Sequence, residues 1–269
     1  MPAETAERRH NIEELLRNRK TDEVRIERVD GSHLDSETIE ALILAARRGF
    51  GRLEMPREEV TEHALGTDML HLIHFRERLV GFAAYSVFNM KVGMRKSRRV
   101  LYLNGIVMDS EAQGNGIAPV ALLEAIRQED PQALALRTQN PAMYSAAGKI
   151  VGGLELEHRL FPSLSDRPDK EAKRIARNVS RILNEKHYDA SRFFDSGTYG
   201  MALNGSVPRV NPEVEQLFAE LRIDREAGDS IIVVAMLRKS ARTLRTRAKE
   251  FMDRAIERFG EGMALYPGM

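Results

Sequence analysis

The segment Gln113-Gly114-Asn115-Gly116-Ile117-Ala118 contains two glycines and connects a predicted strand to a predicted helix. Before it, residues 100–108 are apolar and rich in β-branched and aromatic side chains, which predicts a buried strand. After it, apolar residues recur at helical spacing: Ile117, Val120, Leu123 and Ile126. A strand, a glycine-containing loop and a helix in this order favour phosphate binding. The first N–H groups of the helix are unpaired, the helix dipole is positive there, and glycine lets the backbone approach the anion.

The spacing of this loop excludes one common phosphate loop and disfavours another. Gly116 is followed by Ile117 and Ala118 instead of Lys and Ser or Thr, so the loop is not a P-loop. Gly114 and Gly116 are followed by Pro119 where a dinucleotide fingerprint needs its third glycine, and two predicted strands precede the unit. A Rossmann site is therefore disfavoured.

The positions of Gln113, Gly116 and Ala118 match the pattern Gln/Arg-x-x-Gly-x-Gly/Ala. This pattern resembles the coenzyme A pyrophosphate loop of the GNAT family, the GCN5-related N-acetyltransferases. The resemblance covers roughly residues 22–155, and it extends to the predicted order of elements. It implies an α/β protein with the acyl-CoA N-acyltransferase (GNAT) fold, in which helices flank a mixed central sheet, here with an elaborated helical C-terminal region.

The elements that support this order are predicted from periodicity, turn residues and helix caps. They are a strand at 24–29, a helix after Asp35 or Ser36, a second helix from Pro56 to about Leu65, a hairpin of 69–75 and 79–88, the central strand, the loop and its helix, a strand at 133–138 and a helix from Pro141.

The chain is predicted to divide into four parts: an N-terminal extension helix (1–21), the GNAT core (22–160), inserted helices and closing strands of the same domain (161–240), and a C-terminal helix and tail (241–269). Within the third part we predict helices at 170–186 and from Pro212, and a buried strand at 231–237. A strand near Tyr199 and the 231–237 strand are expected to form the closing hairpin. The alternative is a separate second domain, which the lack of a flexible linker disfavours.

Composition narrows the class of protein. The 269 residues include 41 Lys and Arg against 40 Asp and Glu, which gives no global field to attract nucleic acid or a membrane surface. There is no cysteine, which excludes disulfides, thiolate metal sites and a Cys nucleophile. No apolar run reaches membrane-spanning length, the start lacks a signal-peptide core, and a cytoplasmic location is expected. His71 and His74 show no metal-ligand spacing and are predicted to be structural, so no metal is expected.

The resemblance implies how the coenzyme is held. In proteins of this fold the fourth and fifth strands splay apart, and the pantetheine arm of acetyl-CoA lies between them like an added strand. Backbone N–H groups at the end of the fourth strand stabilise the oxyanion that forms as an amine attacks. The residues that the resemblance assigns to the coenzyme are Ile106, Val107, Met108, Gln113, Gly114, Asn115, Gly116, Ile117, Ala118, Asn140 and Tyr144.

Two proton transfers remain to be assigned. In this family a Tyr that acts as a general acid commonly lies seven residues after the Asn that ends the fifth strand, here Asn140. In this sequence Ala147 occupies that position. Tyr144, one helical turn earlier, is the candidate acid for the leaving thiolate, with Ser145 a lesser candidate. The alternative for Tyr144 is a packing side chain with a bonded hydroxyl.

For the base, Tyr102 and Asn104 share a strand face, and either could position a water. Glu54, Glu58 and Glu59 lie near the loop that covers the acceptor site in this family. The alternative for each of these glutamates is a solvated helix charge.

The predicted insertion is expected to lie over the acceptor side, so residues 165–225 would select the amine. Phe193, Phe194 and Tyr199 would line that pocket, unless they are core residues. The final helix, 240–259, carries six Arg or Lys residues diluted by acidic ones, and we interpret it as a solvated face.

Three hypotheses follow. The first is an N-acyltransferase that uses acetyl-CoA and a small-molecule or peptide amine, without a membrane partner and with a possible homodimer. The second is a coenzyme A-binding module that has lost catalysis. The third is a nucleic-acid binder that uses the basic final helix.

Overall fold

The computed structural model describes residues 24–31, 34–58, 60–61, 66–75, 78–113, 117–153, 159–203 and 209–237. The predicted extension helix, the final helix and Gly114 to Gly116 lie outside these ranges. No helix in the described part of the chain is both long and apolar enough to span a membrane.

The described residues form one nine-stranded mixed sheet. Its strands are β1 (Val24–Val29), β2 (Met69–Phe75), β3 (Arg78–Lys91), β4 (Ser97–Met108), β5 (Ala133–Thr138), β6 (Arg159–Phe161), β7 (Tyr188–Asp189), β8 (Phe194–Asp195) and β9 (Ser230–Met236). Their order is β1-β2-β3-β4-β5-β9-β8-β7, with β6 pairing on β9. All pairs are antiparallel except β4 with β5.

Among the described residues, five α-helices flank the sheet: α1 (Ser36–Phe50), α2 (Ile117–Glu129), α3 (Pro141–Gly153), α4 (Lys170–Ile182) and α5 (Pro212–Leu221). Side-chain caps fix four of the starts, because Asp35, Asn140, Asp169 and Asn211 accept hydrogen bonds from backbone N–H groups of the first turn. A short helical stretch is also present within 57–61. The mixed α/β class predicted from the sequence is confirmed.

The two faces of the sheet carry different helices. On one face, α2, α3 and α5 cover a continuous core that includes Leu103, Leu136 and Val233. On the other face there are two separate cores. One lies under α1 and contains Ala84, and the other lies under α4 and contains Tyr102. The face between α1 and α4 is where the candidate site opens.

The closing region differs from the prediction. Tyr199 is not in a strand; β8 covers only Phe194–Asp195, and residues 196–203 form a loop. Gly197 and Gly200 adopt left-handed φ values of 65° and 64°, which end the strand. The strand β9 instead joins β5 on one side and β6 and β8 on the other, which places the insertion in the same sheet.

Helix α4 ends at Ile182, four residues before the predicted Lys186. Leu183 is the C-cap residue, and Asn184 has a left-handed φ of 56°. This turn directs residues 185–189 back toward the sheet.

His71 lies in the apolar core beneath α2, with 0% exposure, and its ring contacts Tyr85 edge-on at 5.2 Å between centroids. Burial lowers the pKa of His71 below its usual 6.5. Below pH 6.5 the unfolded chain binds a proton that the native state resists, so the free energy of unfolding should fall as the pH drops. The slope from this one group is at most about 1.4 kcal/mol per pH unit.

We therefore expect His71→Phe to flatten the pH dependence of stability, measured by urea unfolding between pH 7 and pH 5. The control is His187→Gln, because His187 is exposed. Equal slopes for the native protein and His71→Phe would show that His71 does not carry the effect.

Candidate active site

The strands β4 and β5 part at a defined residue. They pair in parallel from Val100↔Ala133 to Leu103↔Leu136, and β4 then continues to Met108 without β5. Beyond this point β4 pairs only with β3, and β5 pairs only with β9. The edge of β4 that faces β5 is therefore unpaired by any described strand, which leaves backbone groups to bind an extended ligand.

A β-bulge lies at the point of separation. Ala84 pairs with Gly105, but the next pair is Tyr85 with Leu103, so Asn104 is an extra residue in β4. Its Oδ1 atom is buried and has no hydrogen-bond partner in the described part of the chain. Buried amide oxygens are normally satisfied, so Asn104 marks a position where a ligand N–H or a water could bind.

Gly105 adjoins open space. No atom of the described residues lies within 4 Å of a Cβ placed on Gly105, although the residue is in the middle of the sheet. Ala84, its partner, belongs to the core under α1, and Tyr102 belongs to the core under α4. The space over Gly105 is thus a gap between the two cores.

The predicted oxyanion donors lie beside this gap. Val107 and Met108 bury their side chains in cores on opposite faces, and Ile106 is half-buried. Successive N–H groups of a strand point to opposite edges, and the Asp109 N–H donates to the Val80 carbonyl oxygen on β3. The N–H groups of Ile106 and Met108 therefore point to the free edge of β4, where the resemblance expects an oxyanion donor, and the Val107 N–H points to β3.

Gln113 joins the end of β4 to α1. Its side-chain amide donates to the carbonyl oxygens of Gly49 at 2.6 Å and Met108 at 3.0 Å. Nearby, the buried Asp109 accepts hydrogen bonds from the Glu111 N–H and from Arg48. Hydrogen bonds to α1 and to the end of β4 therefore hold the residues that lead into the predicted phosphate loop.

The exit from that loop is helix α2, which begins at Ile117. Ile117 is buried and Ala118 is half-buried, so the helix start is anchored in the core. Gly114, Asn115 and Gly116 lie outside the described residues, and their role in binding phosphate stays a prediction.

The start of α3 carries the next two predicted residues. The Asn140 side chain accepts from the Ala142 N–H at 2.9 Å, which caps the helix. The Tyr144 hydroxyl donates to the Pro162 carbonyl oxygen at 2.6 Å, and its ring contacts Phe218 edge-on. Burial raises the pKa of Tyr144 to about 12.

The neighbours of Tyr144 are also placed. Ala147 is buried in the same core and offers no proton, and Ser145 is half-buried. The bonded hydroxyl of Tyr144 matches the packing role that we gave as the alternative to catalysis.

The candidate bases differ in environment. Tyr102 is 3% exposed, and burial raises its pKa, so it stays protonated and would act as a hydrogen-bond donor. Glu54 is exposed and pairs with Arg52, and its pKa is lowered by a backbone hydrogen bond and by Arg52. Glu58 is exposed, and Glu59 lies outside the described residues.

Arg137 is a site residue that the sequence reasoning missed. It is the first residue of β5 beyond the pairing with β4, directly across the gap from Asn104. Its guanidinium forms an ion pair with Glu185, donates through Nε to the Tyr199 hydroxyl at 3.2 Å and stacks on the Tyr199 ring at 4.7 Å. A charged residue inside the apolar strand 133–138 was the signal that could have found it.

Gln139 was missed as well. It is 1% exposed, and its side-chain amide donates to the Met201 carbonyl oxygen and accepts from the Leu203 N–H, both at 3.0 Å. Arg52, after α1, donates to the Ala202 carbonyl oxygen at 3.3 Å. The 196–203 loop is therefore attached to the end of β5 and to the segment after α1.

Phe193, Phe194 and Tyr199, which were predicted to line the acceptor pocket, lie in different environments. Phe193 is fully buried and stacks on Phe161 at 6.3 Å, so it is a core residue. Phe194 lies under the Arg192 guanidinium, at 4.8 Å. Only Tyr199 reaches the end of β5, through Arg137.

In the described residues, no group of three His, Asp or Glu side chains is arranged to hold a metal ion.

Comparisons with known proteins give structural matches only. No protein-family model and no curated protein matches the chain. Among solved structures, the ribosomal-protein-S18-alanine N-acetyltransferase of Escherichia coli is 10% identical, with 80% of this chain and 96% of that chain covered and a TM-score of 0.41. An IAA acetyltransferase from Bacillus cereus ATCC 14579 is 13% identical, with 80% and 99% covered and a TM-score of 0.40.

A third match is a ribosomal L7/L12 α-N-protein acetyltransferase in complex with coenzyme A. It is 16% identical, 55% of this chain and 86% of that chain are covered, and the TM-score is 0.37. The element order, the strand directions and the parting of β4 from β5 agree with the mixed α/β arrangement that was expected from the sequence.

Proposed function

We propose that the protein is an acyl-CoA dependent N-acyltransferase and that acetyl-CoA is its donor. The observation that carries this proposal is the gap between β4 and β5. It combines an unpaired strand edge, an unsatisfied Asn104 oxygen and open space over Gly105. The same strand leads into the Gln113–Ala118 loop and helix α2, which suits the coenzyme diphosphate.

The chemistry needs few groups. The amine nitrogen attacks the thioester carbonyl carbon, a C–N bond forms, the C–S bond breaks, and coenzyme A leaves as a thiolate. A backbone N–H group on the free edge of β4, that of Ile106 or Met108, donates to the carbonyl oxygen as its charge grows. The amine proton passes to a water held by Asn104 and Tyr102.

The thiolate has a pKa of about 8.5 and needs little help to leave. Tyr144 would supply a proton to it if its hydroxyl turned away from Pro162.

Ligand-induced stabilisation tests coenzyme binding. Acetyl-CoA at millimolar concentration should raise the melting temperature, because binding only to the native state stabilises it. Release of free thiol from acetyl-CoA in the presence of amines then tests catalysis. An absence of any stabilisation would contradict the proposal at its first step.

A coenzyme-binding protein without catalysis is the second candidate. Two observations support it. Ala147 is buried and cannot donate a proton, and the Tyr144 hydroxyl already donates its hydrogen bond to the Pro162 carbonyl oxygen. Stabilisation by acetyl-CoA without thiol release for any amine would favour this candidate.

Tyr144→Phe tests the acid role. If Tyr144 is the acid, kcat should fall by about 100-fold with little change in KM for acetyl-CoA, because an acid acts in the transition state. Loss of the hydrogen bond to Pro162 should lower the free energy of unfolding by about 1 kcal/mol in any case. A stability loss with unchanged kcat would leave Tyr144 with the packing role alone.

A further inference from the structure

The loop after β8 connects the two sides of the gap between β4 and β5. We define the strap as residues 201–203 of this loop. On the β5 side, the Gln139 side chain donates to the Met201 carbonyl oxygen and accepts from the Leu203 N–H, both at 3.0 Å. Gln139 directly follows β5 and is 1% exposed. The strap is therefore bound to the end of β5 by two hydrogen bonds from a buried side chain.

On the other side, the strap is bound to the segment after α1. Arg52 donates through Nη1 to the Ala202 carbonyl oxygen at 3.3 Å, and the same atom contacts the Met201 Sδ atom. The Arg52 backbone N–H donates to the Arg47 carbonyl oxygen at 2.9 Å, which ties Arg52 to the last turn of α1. That turn packs closely on the end of β4 at Gly49. The strap thus joins the ends of the two strands that part.

The strap lies on the face of the sheet that carries α1 and α4. Arg137 shares this face with Ala135, which is in the core under α4, because side chains two positions apart in a strand point the same way. Tyr199, which precedes the strap, contacts Arg137 through its hydroxyl and its ring. The open space over Gly105 is on this face too, since its partner Ala84 lies in the core under α1.

The predicted coenzyme diphosphate site is on the other side of the sheet. Helix α2, whose start follows the predicted phosphate loop, packs on the opposite face. The strap therefore crosses the gap on the side away from the diphosphate, which is the side that is left for an acceptor.

The two attachments of the strap differ in how easily they can open. Gln139 is buried, so breaking its bonds would leave unpaired polar groups in the interior. The Arg52 side chain is 26% exposed, and it also pairs with Glu54, which is 72% exposed. Water and Glu54 would satisfy Arg52 if its contact with Ala202 opened. Opening of the strap is therefore expected at Arg52.

We propose that Arg52 is a positioning residue that holds the strap closed over the acceptor side of the gap. The strap opens at Arg52 to admit the amine, and it then closes and excludes water from the thioester while the amine reacts. The inference rests on the proposed acyltransferase function and adds to it a residue that acts through the strap. It holds for any acceptor amine.

Water that reaches the bound thioester gives a side reaction that can be measured. The water oxygen attacks the carbonyl carbon, a C–O bond forms and the C–S bond breaks. The products are acetate, the coenzyme A thiol and a proton. Incubation with acetyl-CoA alone, without an amine, therefore reports closure of the strap as the release of thiol and acetate above the rate without protein.

We expect Arg52→Ala to raise this hydrolysis about tenfold, because loss of one hydrogen bond to a charged group shifts the equilibrium between closed and open strap by about that factor. Stabilisation by coenzyme A should persist, since the predicted diphosphate site is on the opposite face. Arg52→Lys should restore most of the closure, because its ammonium group can also donate to the Ala202 carbonyl oxygen.

Two controls separate the strap from general effects of removing charge. Arg57→Ala removes another exposed arginine, which pairs with Glu40 and is 46% exposed. Glu54→Gln removes the carboxylate beside Arg52 and leaves the bond from Arg52 to the strap. Neither variant should raise the hydrolysis.

The outcomes distinguish the inference from the proposed function. Unchanged hydrolysis in Arg52→Ala, an equal rise in Arg57→Ala or Glu54→Gln, or no rescue by Arg52→Lys would each overturn the inference and leave acyl transfer intact. Failure of the native protein to be stabilised by acetyl-CoA would instead contradict the proposed function.

Discussion

Replacing Gly49 with alanine should lower the free energy of unfolding by about 3 kcal/mol, the upper range for overpacking a closed contact. A Cβ on Gly49 would lie 2.3 Å from the Met108 carbonyl oxygen and 2.8 Å from the Val107 Cγ1 atom. The first clash is with backbone, so no side-chain rotation relieves it. Helix α1 would have to move away from the end of β4.

The expected decrease in the free energy of unfolding is informative, because replacing glycine with alanine inside a helix normally increases it by up to about 1 kcal/mol. Gly148→Ala in α3 is the matched control. There the nearest atom is the flexible Leu160 Cδ2, at 3.4 Å. Urea unfolding should show destabilisation for Gly49→Ala and little change or a gain for Gly148→Ala. Equal effects at the two positions would contradict the close approach of α1 to β4.

The same contact links stability to the site. Gly49 also accepts the hydrogen bond from Gln113, at the entrance to the predicted phosphate loop. A shift of α1 would therefore loosen the start of that loop as well as the end of β4. Acetyl-CoA should stabilise Gly49→Ala less than it stabilises the native protein.

Replacing Gly116 with aspartate should weaken coenzyme A binding by about 100-fold or more, because a carboxylate would repel the diphosphate where a helix N-terminus should attract it. Isothermal titration of coenzyme A measures the loss. The unfolding midpoint in the absence of ligand should change little. The substitution therefore tests the predicted phosphate loop.

Gly93→Asp is the matched control for this change. It adds the same side chain and charge to an exposed turn between β3 and β4, and binding should be unaffected. Undiminished affinity in Gly116→Asp would mean that the phosphate binds elsewhere on the protein.

Much of the fold could be predicted, because its signals are local. Periodicity and caps gave β1, the β2–β3 hairpin, β5 and the starts of α1, α3 and α5, and the structure confirms these elements. The prediction of a closing strand near Tyr199 was wrong. Gly197, Gly200 and the hydrogen bond from the Tyr199 N–H to the Gly228 carbonyl oxygen bend the chain there. Those contacts join residues distant in sequence, and periodicity does not contain them.

The candidate site was predictable only in part for the same reason. The segment 106–108 and the loop after it follow one another in sequence and carry a motif. Arg137, Glu185 and Tyr199 come from separate parts of the chain, and only side-chain contacts in the folded protein bring them together. The bulge at Asn104 depends on the pairing of β3 with β4, which no local pattern specifies.

A crystal structure with acetyl-CoA bound tests the central claim most directly. We predict that the diphosphate lies against the N–H groups of the Gln113–Ala118 segment, the pantetheine arm along the free edge of β4, and the thioester carbon beside Gly105. A coenzyme bound on any other surface, with β4 and β5 still apart and the space over Gly105 empty, would contradict it.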